Sequence, residues 1–212
     1  MRRILALSLL LSLAACGGPS EQPSISLYLA LQRGDLNQIE RHIAWQADLN
    51  APLPNGLMPL HLVAADGRVA IARLLIKQGA QVNGRDQNGN TPIYHALRQG
   101  RTQLAEMLLQ KQARLDADAM LWQLVQDEIN DRDVVQFLQR QGADINRLRQ
   151  GKSLLGEAIR RDNLHLSKLL IRAGADVNLA EESGTTPLHW ARQVGNDDII
   201  RQLLRQGAKD RP

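Results

Sequence analysis

The chain has 212 residues, of which 43% are apolar, 23% charged and 3% aromatic, with a formal net charge of +4. That length suits one domain of ordinary size or an array of small units, and the near-average composition excludes collagen-like and wholly disordered chains. The scarcity of aromatics excludes a large aromatic-rich core. The single cysteine, Cys16, excludes an intramolecular disulfide framework and any zinc site built on several cysteines.

Met1, Arg2 and Arg3 make a positive start, Ile4 to Leu13 form an apolar run, and Ala14 and Ala15 are small residues at a cleavage point. Residues 1–15 therefore read as a secretory signal. Their apolar run is well short of the roughly 20 residues that span a bilayer as a helix. Leu13-Ala14-Ala15-Cys16 resembles the lipobox of bacterial lipoproteins, which implies cleavage between Ala15 and Cys16 and acylation of Cys16. An ordinary signal peptide cut after Ala15 would instead leave a free thiol, a liability in an oxidising compartment. In lipoproteins an aspartate after the cysteine retains the protein in the inner membrane. Gly17 stands there in this chain, which implies the outer membrane, facing the periplasm. Several acyl chains together hold a protein firmly where one alone does so marginally. Residues 16–24 then form the acylated cysteine and a flexible tether. Loss of Arg2 and Arg3 with the leader leaves 24 Lys+Arg against 22 Asp+Glu, a net of +2 that gives no argument for a nucleic-acid partner.

The rest of the chain repeats. Gln78-Gly79-Ala80-Gln81-Val82-Asn83 is echoed by Gln141-Gly142-Ala143-Asp144-Ile145-Asn146 and Ala173-Gly174-Ala175-Asp176-Val177-Asn178, and less fully around Ala47, Ala113 and Ala208. From Ala47 these alanines are spaced 33, 33, 30, 32 and 33 residues apart. Such a period predicts a stacked array in which no unit buries its apolar face alone. Within the second unit, Leu60, Val63 and Ala64 share one helical face, Gly67 breaks it, and Val69, Ile71, Leu74 and Leu75 mark a second helix that Gly79 ends.

Met58-Pro59-Leu60-His61, Thr91-Pro92-Ile93-Tyr94-His95-Ala96 and Thr186-Pro187-Leu188-His189-Trp190-Ala191 resemble the Thr-Pro-Leu-His-x-Ala helix start of the ankyrin repeat. The resemblance covers residues 25–210. It implies an all-α solenoid of six helix-turn-helix units, near 25–50, 51–83, 84–116, 117–146, 147–178 and 179–210, with short β-hairpin fingers. Thr at the helix start is expected to cap, Pro fits the first turn, and small Ala lets neighbouring helices approach. The resemblance makes His61 and His189 structural, bonded to neighbouring backbone or hydroxyls.

The first and last units lack parts of the pattern and read as caps. The fourth is unusual. From Asn83 to Thr91 is eight residues, but the matching step from Asp116 to Ala119 is three, so five residues of a finger are missing before the fourth unit. Its first helix is expected over Met120–Val125 and its second over Asp133–Leu138, with the loop between them about two residues longer through Asp127, Glu128 and Ile129.

Catalytic patterns are missing. Gly151-Lys152-Ser153 lacks the earlier glycine of a phosphate-binding loop, since position 146 is Asn146, and it aligns with a helix start instead. The five histidines are scattered across units. No enzyme activity, metal or cofactor is expected. Ankyrin arrays generally bind proteins through a concave surface of fingers and first helices, so function must be read from side chains there. By register that surface should carry Arg33, Arg98, Arg160 and Arg161 at the helix ends, Arg149 and Lys152 on a finger, and His95 and Trp190 at the exposed position of the helix start. Trp beside Arg is the composition of an interface anchor; a packed Trp and a solvated basic face are the plainer alternative.

The leading expectation is a monomeric, lipid-anchored binder of one protein. An immunity protein neutralising a periplasm-acting toxin, and a stress-protective or structural envelope scaffold, are the alternatives. Because each repeat contacts only its neighbours, truncation after Asn146 should leave a partly folded, helical remnant by circular dichroism, and a random-coil spectrum would contradict the array.

Overall fold

Residues 21–209 are described here by a computed structural model; Ala15 and Cys16, with the rest of the leader, lie outside them. Among the described residues twelve helices fall into six antiparallel pairs: α1 (Leu27–Arg33) with α2 (Leu36–Ala44), α3 (Pro59–Asp66) with α4 (Val69–Lys77), α5 (Pro92–Arg98) with α6 (Thr102–Gln110), α7 (Ala117–Gln126) with α8 (Arg132–Arg140), α9 (Leu154–Arg160) with α10 (Leu164–Arg172), and α11 (Pro187–Val194) with α12 (Asp197–Arg205). Helices of 7 to 10 residues are too short to persist alone in water, so packing between units holds them. Odd-numbered helices form the inner row and even-numbered helices the outer row. Ala30, Ala64, Ala96, Ala158 and Ala191, all fully buried in the inner row, allow close approach, while Phe137 and leucines fill the space behind.

Helix starts follow local chemistry. Pro59, Pro92 and Pro187 occupy first turns, and Ser26, Ser153 and Thr186 accept bonds from backbone N–H groups. Thr91, expected to cap α5, makes no side-chain cap bond. Four of the six outer helices are capped by Asp35, Asp131, Asn163 and Asn196, while α4 and α6 have no side-chain cap bond; these caps were not anticipated from the sequence.

The fingers are tight turns at 53–57, 86–90, 149–152 and 181–185, each closed by two backbone hydrogen bonds; Arg149 and Lys152 pair as an antiparallel bridge. No finger separates α6 from α7. Here α7 begins one turn earlier than expected, at Ala117, with Asp116 accepting from the Ala119 N–H, and five residues rather than two or three lead to α8.

Polar side chains join successive units. The Asn50 amide donates to the Gly79 carbonyl and accepts from the Gln81 N–H; Asn83 does the same with Gln112 and Arg114, Asn146 with Gly174 and Asp176, and Asn178 with Gly207 and Lys209. The fingerless step has no such Asn, and Asp118 accepts from the Asp144 N–H instead. Arg68 and Arg101 reach back to carbonyls at the ends of α1 and α3.

His61 is fully buried, and its Nε2–H is shared between the carbonyls of Gly84 and Asn90 in the next unit's finger. Its Nδ1 has no hydrogen-bond partner. Burial, aided by nearby His95 and only partly offset by the Asn90 bond, lowers its pKa from 6.5. A lowered folded-state pKa means that the unfolded chain takes up the proton first, so stability is complete above pH 6.5 and falls as pH drops through the folded value. Urea unfolding should therefore show a decline from about pH 6.5 downward, flattened in His61→Gln. An unchanged slope in that variant would assign the decline elsewhere.

Candidate functional site

The inner row and fingers share one face, where most of the expected site residues lie. Arg33 ends α1, Arg98 ends α5, and Arg149 and Lys152 sit on the finger before α9; all four side chains are exposed and make no ion pair with the described residues.

The column at the helix starts is less open than expected. His95 was placed there as a partner-binding residue, yet its side chain is 11% exposed and its Nε2–H donates to Asp86 Oδ2 at 2.7 Å. Asp86, in the finger of the same unit, also accepts from the N–H groups of Asn88 and Asn90. Burial pushes the Asp86 carboxyl up, but the His95 bond and these N–H groups outweigh it and hold it below its ordinary value. Fingers fold over this column, so Leu62 is buried as well.

Trp190 repeats the arrangement at the last of the four fingers. Its Nε1–H donates to Glu181 at 3.3 Å, and the Arg160 guanidinium lies 4.7 Å from its ring centroid. Glu181, 4% exposed, also accepts from the Ser153 N–H and from Arg160 at 3.0 Å. Gly156 makes room for it: a Cβ there would collide with Glu181. Arg160 reaches Glu157 as well, and Arg161 bonds Glu157 at 2.9 Å and faces Glu128 at 3.9 Å. Burial raises the Glu157 pKa, but its bonds to Arg161 and Arg160 prevail and lower it. The basic strip expected at Arg160 and Arg161 is thus largely neutralised within the fold. It could not be read in register because Glu181 lies 21 residues from Arg160.

His189, expected to bond neighbouring backbone, is exposed and meets Trp190 edge-on at 6.2 Å, and no finger lies against it among the described residues. Tyr94 holds the His61 position in the third unit, before the missing finger, and its hydroxyl donates to Asp127 at 2.6 Å. Burial and this carboxylate push the Tyr94 pKa up to about 12. Trp122 holds the position in the fourth unit and is buried.

Beside α7 the missing finger leaves two clefts, of about 440 and about 160 Å³, both lined by Ala119 and Gln123. A groove of about 580 Å³ between α8 and α10, lined by Arg132, His165, Lys168 and Arg172, was not foreseen. Among the described residues no group of three or more His, Cys, Asp or Glu is placed to hold a metal, and no helix is long and apolar enough to cross a membrane.

Paired short helices stacked with inter-unit fingers define a repeat scaffold that presents a face for protein binding. The family model described as "Ankyrin repeats (3 copies)" matches residues 27–119 and 121–211, and the chain belongs to the ankyrin-repeat family, whose repeats bind protein partners and are typically non-catalytic. Protein phosphatase 1 regulatory subunit 27 of Homo sapiens is 45% identical over 58 residues, 27% of this chain and 38% of that protein; the match therefore spans well under half of the relative. The ankyrin repeat domain of Bcl-3 superposes with a TM-score of 0.65 at 28% identity, covering 89% of each chain. A chain from the complex of the predatory endopeptidase Bd0816 of Bdellovibrio bacteriovorus with the immunity protein Bd3460 superposes with a TM-score of 0.64 at 24% identity, covering 87% of this chain and 100% of that one, a likeness of fold.

Glu181→Ala should cost about 3 kcal/mol in urea unfolding, because it strips the Arg160 pair and the Ser153 N–H of their acceptor. A loss under about 1 kcal/mol would show the Arg160 pair to be worth no more than a surface pair.

Proposed function

We propose that this chain is a non-catalytic lipoprotein, acylated at Cys16, that faces the periplasm from the outer membrane and binds one protein partner through the concave face of its array. The anchor and location rest on Leu13-Ala14-Ala15-Cys16 and on Gly17 after the cysteine. The observation that carries the binding role is the set of exposed cations along the face, Arg33, Arg98, Arg149 and Lys152, which the fold leaves without acidic partners while it satisfies Arg160 and Arg161 internally. Cations that the fold does not use favour a partner of acidic surface and speed its approach. Trp190 and Arg160, stacked and held by Glu181, add a rigid aromatic edge to the same face.

A second reading makes the partner a peptidase and this chain its immunity protein. It is favoured by the likeness of fold over the whole of the Bdellovibrio chain, whose structure is a complex of an endopeptidase with an immunity protein. That reading requires a stoichiometric inhibitory complex.

Crosslinking of the anchored protein in its own cells, followed by mass spectrometry, tests the binding role. One stoichiometric partner, lost in Arg33→Glu/Arg98→Glu, is expected; many weak partners, or none, would overturn it. In the same cells Cys16→Ser should move the protein from the membrane to the soluble fraction.

A further inference from the structure

The step between the third and fourth units differs from every other step that follows a finger. In the first two fingers, Gln87 of the second lies over Gly56 of the first. In the last two, Glu182 lies over Gly151 and its N–H donates to the Gly151 carbonyl at 3.0 Å. Gly89 is the matching glycine of the second finger, and a Cβ built there meets no atom within 4 Å. Its carbonyl accepts from Arg85 of the same finger rather than from a following one. The added turn of α7 fills the base of the gap but not the level of the finger tips. Ala119 and Gln123 form the floor, and Gln123 reaches sideways to Asn90 at 3.1 Å.

The walls are basic. Arg85 and Arg114 border the cleft on the second finger's side, and Arg149 and Lys152 the cleft on the other. The two carboxylates lining these clefts are already engaged: Asp116 caps α7, and Glu157 is held between Arg160 and Arg161. We propose that this notch receives an acidic β-turn of a protein partner, which seats on Gly89 and against Ala119 and Gln123 where the third finger would stand. The shape is that of a finger, because in both neighbouring pairs a residue of one finger lies over the glycine of the finger before it. The charge is acidic, because four cations line the notch and none of them makes an ion pair with a described residue. This inference rests on the reading of the chain as a protein binder and names the chemistry of the partner's inserted segment.

The test uses the purified full chain in detergent and disulfide-closed ten-residue hairpin peptides, one with Asp and Glu at its turn and one with Lys at the same positions. Fluorescence anisotropy should show binding of the acidic hairpin only, weakened by salt. Affinity should fall about tenfold or more in Ala119→Trp, which fills the floor, and in Arg149→Glu/Lys152→Glu, whose side chains are exposed and leave packing intact. Lys168→Glu, on the outer helices, should leave it unchanged. Equal binding of the two hairpins, no binding, or an affinity indifferent to both notch variants would overturn the proposal. A crosslinked cellular partner that is lost in Arg33→Glu/Arg98→Glu but retained in both notch variants would overturn the notch while leaving the binding role standing.

Discussion

No unit of this array can bury its own apolar face, so every step depends on how one unit is joined to the next. Hydrophobic contact supplies adhesion but little orientation, being nondirectional. Orientation comes from polar joints that repeat with the period: an Asn amide gripping both a carbonyl and an N–H of the next unit, and a residue at the helix start matched to whatever the next unit presents. His61 meets two carbonyls of a finger, Gly156 yields space to the Glu181 carboxylate, and Tyr94, with no finger ahead of it, extends to Asp127. Each is a different answer to one geometric requirement, that a buried polar group opposite the helix start find a partner.

The same requirement sorts the charges. Where a finger folds over the inner row, its acidic residue draws in the side chain beneath, His95 to Asp86 and Trp190 with Arg160 to Glu181. Where no finger covers the surface, basic side chains stay in water. The binding face is therefore defined less by where cations occur than by where the fold leaves them without carboxylates. Arg160 and Arg161 are as basic in sequence as Arg149 and Lys152, but they stiffen the array while the latter two remain available to a partner.

The period, the six helix pairs, the absent finger and the lengthened loop after it were legible because each depends on spacing alone. Asp118 is not legible in the sequence, since it lies before the helix expected from Met120 and falls instead in an extra helical turn, where it takes over the acceptor role of the usual Asn. His95 was misjudged for a related reason: register places it correctly on the helix but is silent about the finger that bends over it. The pairing of Arg160 with Glu181 is likewise a contact across space. A sign was present in the sequence all the same, because an acidic residue nine positions before the helix-start residue recurs in Asp86 with His95 and in Glu181 with Trp190.

Because the helix-start residue of each unit answers to the unit after it, the units are not interchangeable despite their common period. Moving the third unit ahead of a fingered one would set Tyr94 against a finger shaped for His61, and moving the fifth to the end would leave Gly156 beside water. Duplication or loss of a 33-residue block is therefore easiest where the joints are bland, and the interior order is written into the chain as a one-way sequence of matched neighbours.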